Sequence, residues 1–392
     1  MKIEKIQESL RERKIDGWLF YDFHNRDLIA YRILNLPLTK LTTRRWFYFI
    51  PASGEPVKLV HMVESTKLDS LPGEKMTYLR WSELHSSLKE ILGKPKKIAM
   101  QYSPFQHIPY ISIVDGGLIE LIRSFGHEII SSADLVQLFE AKIDEEGYRL
   151  HKEAAKLINE IKDLAFEEIR KAIKDHKELS EYSLARFIEK KIEEYGLTND
   201  GEIPIVGINE HPADPHFEPT PENAYIFKQG DKVLIDVWGK KKTENAIYAD
   251  ITWCGYIGDS PPEKYVEIFN LVCKARDRAI EFIQEKFSKG EPCYGWEVDD
   301  ACRKVITEAG YGKFFIHRTG HSIGTKVHGN GVNIDNLETK DERQIIPGSC
   351  FTIEPGIYLE GEMAVRSEVD VFITHQGEVE VTTVRQKELI KI

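Results

Sequence analysis

Residues 233–253 read VLIDVWGKKKTENAIYADITW and are the most informative stretch of the sequence. Two apolar runs flank a polar, lysine-rich centre, a pattern that predicts two antiparallel strands joined by a turn. Each run nevertheless contains an acidic residue, Asp236 in the first and Asp250 in the second, among neighbours that favour burial. The stretch therefore predicts a β-hairpin that carries two buried carboxylates.

A second pair of acidic residues occurs in a similar setting near the C-terminal end. Glu354 lies in FTIEP and Glu368 in VRSEVDVF, within apolar segments at 350–358 and 364–374 that predict two further strands. Fourteen residues separate the members of each pair, so we expect the two acids of a hairpin side by side on one face. An unpaired carboxylate buried in this way costs several kcal/mol and needs a proton, a basic partner or a metal ion.

The helices around these strands indicate that one pattern occurs twice. Helices are predicted at about 145–175 and 180–195 before the first hairpin, and at 263–288 and 297–309 before the second. Two helices followed by a hairpin, repeated, predict a pseudo-symmetric α+β domain. Two hairpins that face each other in such a domain would gather four carboxylates at one point.

The first third of the chain alternates helix and strand signals. Helices are predicted at the N-terminus, over 82–92 with Ser82 as N-cap, and over 117–126, and strands at 18–22, 46–50, 57–63 and 97–101. This alternation predicts a small α/β domain with a largely covered sheet. The sequence thus predicts an N-terminal domain at residues 1–131 and a second domain at residues 132–392.

Composition restricts the class of protein. The 392 residues are 41% hydrophobic and 30% charged, which fits a folded globular chain and excludes disorder throughout. A net charge of −11 argues against sequence-independent binding to nucleic acid or to anionic membranes. The five cysteines form no CxxC pair, and no stretch approaches about 18 consecutive apolar residues. We therefore expect a cytoplasmic protein without a nucleic-acid partner or a membrane span.

Three histidines lie in HRTGHSIGTKVHG, residues 317–329. The segment is not the helical HExxH motif of zinc proteases, because position 318 is arginine and Gly320 interrupts a helix. His321, beside this glycine, is the candidate to join the four acids as a metal ligand. Four carboxylates that share a pocket need cations, and two divalent ions would balance their charge.

Simpler explanations exist for each residue taken alone. Glu368 could pair with Arg366, which lies two positions earlier on the same strand face. His317 and His328, taken singly, would more often be core or surface histidines. Four acids and a histidine in apolar settings, with the acids paired at equal intervals, favour a metal site over separate structural roles.

Three motifs, HRTGHSIG, FTIEPGIY and VRSE, follow one another in the chain. With them the sequence resembles the pita-bread metallopeptidases: aminopeptidase P, prolidase (Xaa-Pro dipeptidase) and their creatinase-fold relatives. The resemblance covers essentially the whole chain, including the Lys-x-Asp-Gly-x-Leu opening at residues 14–19. It implies a creatinase/prolidase-like α/β N-terminal domain and a pseudo-symmetric α+β pita-bread catalytic domain. It also implies hydrolysis of Xaa-Pro bonds in short peptides, by a dipeptidase or an aminopeptidase, and a homodimer.

The resemblance further implies roles for particular residues. His328 corresponds to the histidine that contacts the substrate carbonyl, His216 to the one near the nucleophile, and His317 to the one that lines the pocket beyond the scissile bond. Glu354 would move a proton from water to the leaving nitrogen. The implied metal ligands are Asp236, Asp250, His321, Glu354 and Glu368. Such oxygen ligands with one imidazole favour two manganese ions, with cobalt, iron or zinc as alternatives.

The sequence departs from the family pattern at several positions near the site. Trp238 stands where glycine is common, Trp253 where arginine is usual, Ser322 in place of the second glycine of GHGIG, and Gly329 in place of the glutamate after His328. About three extra residues, at 240–245, lengthen the turn between the two aspartates. These changes leave open a metal-dependent hydrolase or lyase of another small amide or metabolite. A non-catalytic peptide-binding relative is a further alternative, which the retention of all five ligands disfavours.

Overall fold

The computed structural model describes residues 2–38 and 42–392. The chain divides into two compact units, Met1–Glu140 and Ala141–Ile392. This division lies nine residues after the boundary that the sequence pattern predicts at 131/132. The short helix Ala133–Val136 explains the difference, because its apolar side chains are buried in a core cluster of the first unit. The limits of the two functional domains stay a prediction.

The first unit is built on a six-stranded sheet with the strand order β4-β3-β2-β1-β5-β6. The pairs β1–β2 and β2–β3 are antiparallel, and the other three pairs are parallel. Both faces of the sheet are covered, since Trp18 and Phe20 pack in one core cluster and Leu19 and Tyr21 in another. The elements are α1 (Lys2–Glu12), β1 (Gly17–Asp22), α2 (Leu28–Leu34), β2 (Trp46–Pro51), β3 (Val57–His61), β4 (Glu74–Tyr78), α3 (Trp81–Leu92), β5 (Lys97–Met100), α4 (Gly116–Ser124), β6 (Glu128–Ser131) and α5 (Ala133–Val136).

The start of helix α3 differs from the prediction. The N-cap is Arg80, and Ser82 lies inside the first turn. Glu83 accounts for the shift, because its Oε2 accepts hydrogen bonds from the backbone N–H groups of Leu79 at 2.8 Å and of Arg80 at 3.1 Å. A glutamate at the third helical position that reaches back to the N-cap amide is one half of a capping box, and it fixes the start of the helix at Arg80. The helix ends at Gly93, with φ 65°, where the left-handed region favours glycine.

The second unit repeats two helices and strand pairs in the predicted order. Helix α6 buries the predicted face, including Ile158, Ile161 and Ala165, and Ser180 caps α7 through its hydroxyl group. The elements are α6 (Glu145–Lys174), α7 (Glu181–Glu194), β7 (Leu197–Thr198), β8 (Ile205–Ile208), β9 (Lys232–Lys241), β10 (Ala249–Tyr256), α8 (Glu263–Ser288), α9 (Gly295–Glu308), β11 (Cys350–Ile353), β12 (Gly356–Leu359), β13 (Met363–Arg366), β14 (Val369–Ile373), β15 (Val379–Val381) and β16 (Ile390–Lys391).

Each helix pair of the second unit covers one set of strands. Apolar residues of α6 and α7 form a core cluster with β8, β9 and β10, and those of α8 and α9 form another with β11 to β14. Antiparallel pairing joins β9 to β10, β11 to β14 and β12 to β13. Side chains alternate between the two faces of a strand. Those that point away from the helices, such as Asp236 on β9, can therefore line a functional site.

The sequence contains no CxxC pair among its cysteines and no apolar stretch long enough to span a membrane, and the structure bears on both points. All five cysteines are buried and free. Among residues 2–38 and 42–392, no helix has the length and apolar character needed to cross a membrane.

Candidate metal centre and active-site cavity

One cavity of about 580 Å³ in the second unit is lined by every site residue predicted from the sequence. Its walls come from the loops after β7 and before β9, from strands β9 and β10, from the histidine-rich segment, and from the strand breaks near residues 354 and 368. Eight predicted site residues line it: His216, Asp236, Asp250, His317, His321, His328, Glu354 and Glu368.

The first pair of acids lies on hairpin β9–β10 in a diagonal arrangement. Asp236 is opposite Thr252, and Asp250 is opposite Trp238. The expectation that the two aspartates lie side by side is therefore wrong, since the ladder is offset by two residues. An offset of two keeps both side chains on one face of the sheet, and both line the cavity.

The second pair of acids lies at breaks in the predicted strands. Glu354 falls between β11 and β12, and Glu368 falls between β13 and β14. The β11–β14 ladder and the β12–β13 ladder share one register across the break: Ile353 pairs with Val369 in the first, and Gly356 pairs with Arg366 in the second. Glu354 and Glu368 consequently face each other across the break. The equal spacing of fourteen residues thus gives a direct pair here and a diagonal pair on β9–β10.

Hydrogen bonds connect the two hairpins at the acids. The backbone N–H of Glu368 donates to the carbonyl oxygen of Thr252 at 3.3 Å, and the Thr252 hydroxyl donates to Glu368 Oε2 at 2.6 Å. The backbone N–H of Asp250 donates to Asp370 Oδ2 at 3.0 Å. Asp370 is fully buried, and sequence reasoning missed it. The signal was present, because Asp370 follows Glu368 by two positions in an apolar strand.

The histidine-rich segment forms an extended strand-like run beside β11. The backbone N–H of Thr352 donates to His321 O at 2.9 Å, and that of Glu354 donates to Thr319 O at 2.7 Å. Gly320 lies in the tightest part of this contact, where a Cβ atom would approach Thr352 O to 1.9 Å. The predicted absence of a helix at this glycine is confirmed, and the close approach fixes His321 at the cavity.

The imidazole of His321 faces two carboxylates. Its Nε2 lies 3.7 Å from Asp250 Oδ2 and 3.5 Å from Glu354 Oε1. Its Nδ1 lies 3.2 Å from the carbonyl oxygen of Ser322, a contact that favours the Nδ1–H tautomer and leaves the Nε2 lone pair available. Donor atoms of Asp250, His321 and Glu368 lie within 4.8 Å of one another and could hold a metal ion.

The acids of the cavity carry more negative charge than the protein neutralises. Burial, the charge of Glu368 and the charge of Asp236 raise the pKa of Asp250 far above its usual value. Burial and the charge of Glu354 do the same for the pKa of Glu368, and burial raises the pKa of Glu354 to about 7. Among the described residues, Oδ1 of Asp236 and Oδ1 of Asp250 are buried without a hydrogen-bond partner. The cavity therefore favours a cation.

Arg366 supplies the positive charge nearest to these acids. Its Nη2 lies 2.5 Å from Asp236 Oδ2, so the alternative pairing with Glu368 is not the one that forms. Its Nε donates to the Thr252 hydroxyl at 3.0 Å and its Nη1 donates to the Tyr358 hydroxyl at 2.9 Å. Within the part of the chain that the structure describes, no other lysine or arginine forms an ion pair with one of the four acids.

The other histidines of the cavity differ in how their ring nitrogens are used. The rings of His321 and His328 lie 4.3 Å apart and are nearly perpendicular. Burial and the positive charge of Arg318 lower the pKa of His328 to about 4, so this ring is neutral at physiological pH. Both ring nitrogens of His317 have partners, Nδ1 with Arg318 O at 2.6 Å and Nε2 with the Tyr358 hydroxyl at 2.7 Å. His216 is exposed within the cavity.

Two departures from the family pattern compensate each other in space. A Cβ atom at Gly329 would lie 2.9 Å from the Ser322 hydroxyl oxygen. The same hydroxyl accepts a hydrogen bond from the backbone N–H of Gly331 at 3.0 Å. The Ser322 hydroxyl therefore occupies part of the space that a side chain at position 329 would use, and the backbone of Ser322 and Ile323, at 3.2 Å, borders the rest.

Comparison with known proteins places this arrangement in a family. The family model described as metallopeptidase family M24 matches residues 150–375, more than half of the chain. The chain belongs to metallopeptidase family M24. An uncharacterized peptidase of Staphylococcus saprophyticus is 26% identical over 391 residues, which cover 97% of this chain and 99% of that protein.

Two solved structures extend the comparison over the whole chain. The Xaa-Pro dipeptidase of Bacillus anthracis is 25% identical, with a TM-score of 0.67 and coverage of 100% of this chain and 99% of that chain. The X-prolyl aminopeptidase of Caenorhabditis elegans, described as a cytosolic enzyme with a di-nuclear active site, is 17% identical, with a TM-score of 0.66 and coverage of 98% and 62%. The predicted fold class, an α/β N-terminal domain with a pita-bread catalytic domain, is confirmed, and the chain is a hydrolase of the peptidase type.

Proposed function

We propose that this M24 member hydrolyses the Xaa-Pro bond of short peptides with two divalent metal ions, as a dipeptidase or an aminopeptidase. The observation that carries the proposal is the convergence of all eight predicted site residues on one cavity. The name of the Bacillus anthracis structure, an Xaa-Pro dipeptidase at 25% identity over the full length, supports the substrate class. The di-nuclear site named for the Caenorhabditis elegans enzyme supports the number of ions.

The residues present fit divalent ions. Asp236, Asp250, His321, Glu354 and Glu368 are the proposed ligands, and they offer carboxylate oxygens with a single imidazole nitrogen. The buried, unpartnered Oδ1 atoms of Asp236 and Asp250 are the acceptors that a cation would satisfy. A ligand set dominated by oxygen favours manganese, with cobalt, iron or zinc as alternatives.

The reaction needs a water molecule activated near neutral pH and a stabilised oxyanion. Divalent ions bound at this site would lower the pKa of water and polarise the scissile carbonyl. Glu354 faces the cavity, where its carboxylate would accept a proton from the attacking water and donate it to the leaving nitrogen. That donation matters for proline, because its nitrogen leaves poorly unless it is protonated.

The histidines would complete the site around the substrate. His328 is neutral and would donate a hydrogen bond to the substrate carbonyl oxygen, where negative charge develops. His216 would lie near the attacking water. His317 would shape the pocket beyond the scissile bond, since the Tyr358 hydroxyl and a backbone carbonyl already engage its ring nitrogens.

Peptide hydrolysis by the metal-loaded protein tests this proposal. Chelator-treated protein is reloaded with MnCl₂ and assayed on Ala-Pro, Ala-Pro-Gly and Ala-Ala, with bound metal measured by mass spectrometry. We expect cleavage of the proline peptides only, and a loss of about 10²–10⁴-fold in kcat for Glu354→Gln. The exposed Glu378, outside the cavity, provides a matched control in Glu378→Gln. Metal-replete protein that cleaves none of the proline peptides would contradict the proposal.

A second candidate function uses the same centre on a different substrate. Trp238, at a position where the family commonly has glycine, lines the cavity directly across from Asp250. An indole there reduces the space for a peptide and favours a smaller amide or metabolite. Cleavage of such a compound, together with silence on every Xaa-Pro peptide, would favour this candidate.

Assembly and location remain part of the proposal. The family resemblance supports a homodimer, and light scattering coupled to size-exclusion chromatography measures the mass directly. We also propose a cytoplasmic location, which fits five free cysteines.

A further inference from the structure

One wall of the cavity joins an aromatic side chain to an acidic one. Trp238 follows Asp236 by two positions on β9, so both side chains project from the same face of the strand. The indole Nε1 donates a hydrogen bond to Glu202 Oε2 at 2.9 Å, and both residues line the cavity. The contact places an exposed carboxylate beside an aromatic ring, and Trp238 is paired across the hairpin with the proposed ligand Asp250.

The loop that carries Glu202 is held by its own bonds and by two lysines. Asn199 bonds to the backbone of Gly201 and of Glu202. Asp200 pairs with Lys326 at 2.6 Å and with Lys240 at 3.5 Å. These lysines are thus directed to Asp200 and do not line the cavity, so they leave the Glu202 carboxylate without a cationic partner among the described residues.

The charge of the cavity outside the proposed ligands is negative. Three glutamates, Glu202, Glu218 and Glu338, line it together with two arginines, Arg318 and Arg366. Arg318 is engaged by Glu338, since its backbone N–H donates to Oε1 at 2.8 Å and its Nη1 lies 3.9 Å from Oε2. Glu202 and Glu218 form no ion pair within the described part of the chain, so their charges act on whatever enters the cavity.

We propose that Trp238 and Glu202 form a subsite that selects substrates with a lysine or arginine side chain over those with an acidic one. This inference rests on the proposed Xaa-Pro specificity. Only the first residue of an Xaa-Pro dipeptide has a variable side chain, so the selection acts on Xaa. The indole face would contact the aliphatic part and the cationic group, and the Glu202 carboxylate would pair with the charge.

Equilibrium binding of uncleavable dipeptides tests the subsite without requiring turnover. The ligands are Lys-Pro, Ala-Pro and Glu-Pro analogues in which the peptide carbonyl is reduced to a methylene group. Isothermal titration calorimetry with the manganese-loaded full chain gives their Kd values. We expect the lysine ligand to bind about tenfold more tightly than the glutamate ligand, a difference of about 1.4 kcal/mol.

Three variants identify the residues responsible. Glu202→Gln should reduce the ratio of the glutamate ligand's Kd to the lysine ligand's Kd from about tenfold to about twofold or less. Trp238→Phe keeps an aromatic ring but loses the N–H that holds Glu202, and should give an intermediate ratio. Glu378→Gln removes one negative charge elsewhere on the surface and should retain the wild-type ratio.

The outcomes separate this inference from the proposed function. Equal Kd values for the three ligands on the wild-type protein, or an unchanged ratio in Glu202→Gln, would overturn the subsite even if Ala-Pro is hydrolysed. If the protein does not hydrolyse Ala-Pro but binds the lysine ligand more tightly than the glutamate ligand, the proposed reaction is overturned and the subsite is supported.

Discussion

Arg366 is the basic side chain that pairs with an acid of the proposed ligand set, and its partner is Asp236. Asp250, Glu354 and Glu368 are left to repel one another in a buried setting, which the raised pKa values of Asp250 and Glu368 reflect. At the scale of single residues, repulsion among these buried carboxylates therefore destabilises the metal-free site. Its acids have different roles, because Asp236 compensates a buried arginine, whereas the other three form no ion pair with a lysine or arginine of residues 2–38 and 42–392.

This difference predicts opposite effects for two isosteric variants of the metal-free protein. At pH 8 in chelator, Glu368→Gln should raise the free energy of unfolding by about 1–2 kcal/mol, because it removes a repelling charge and keeps an acceptor for Thr252. Asp236→Asn should lower it by about 2–3 kcal/mol, because Arg366 loses its partner. Thermal and denaturant unfolding measure both values.

Manganese should reverse the order of stability. The wild-type protein should gain more from MnCl₂ than Glu368→Gln does, since the variant lacks one proposed ligand. A metal-free Glu368→Gln protein that is less stable than wild type would show that this carboxylate has a structural partner and is not held for a cation.

At the scale of elements, local pattern predicted the strands and their acids but not their breaks or register. Apolar runs identified the hairpin that holds Asp236 and Asp250, and the pairing of β9 with β10 follows. The offset of two residues depends on the long turn between them, whose conformation the pattern does not specify. Glu354 and Glu368 lie where the β11–β14 ladder ends and the β12–β13 ladder begins. The apolar runs at 350–358 and 364–374 continue through these positions, so the pattern of apolar residues did not indicate the strand ends.

The strand-like run beside β11 predicts that one glycine is essential to this element. Gly320→Ala would bring a Cβ atom to 1.9 Å from Thr352 O, a contact with backbone that cannot move aside easily. The run would separate from β11, His321 would lose its position, and the free energy of unfolding should fall by about 3 kcal/mol or more. Calorimetric titration with MnCl₂ should show weaker binding.

Gly324 provides the matched control for that variant. A Cβ atom at Gly324 would meet its nearest neighbours only at 3.9 Å, so Gly324→Ala should retain both stability and manganese binding. If Gly320→Ala binds manganese as the wild-type protein does, then the contact with Thr352 does not position His321.

At the scale of the whole molecule, the sequence predicted which residues form the site better than it predicted the wall around them. The four acids stand out because each is unusual in its apolar setting, whereas the family resemblance selected His216, His317 and His328. The bond between Trp238 and Glu202 joins residues 36 positions apart, and Glu202 sits in a polar loop where glutamate is ordinary. Only the three-dimensional contact shows that this loop borders the cavity.

All proposed ligands lie in the unit Ala141–Ile392, so metal binding should act on that unit selectively. At a free manganese concentration of about 100 times Kd, the bound state gains about 2.7 kcal/mol. Amide exchange that requires opening of β9–β10 or of the run 319–323 should therefore slow by about 100-fold in hydrogen–deuterium exchange measured by mass spectrometry. Strands β1 and β2 of the other unit should exchange at unchanged rates, and Asp250→Asn should abolish the protection. Equal slowing in both units, or protection that persists in Asp250→Asn, would place the metal elsewhere.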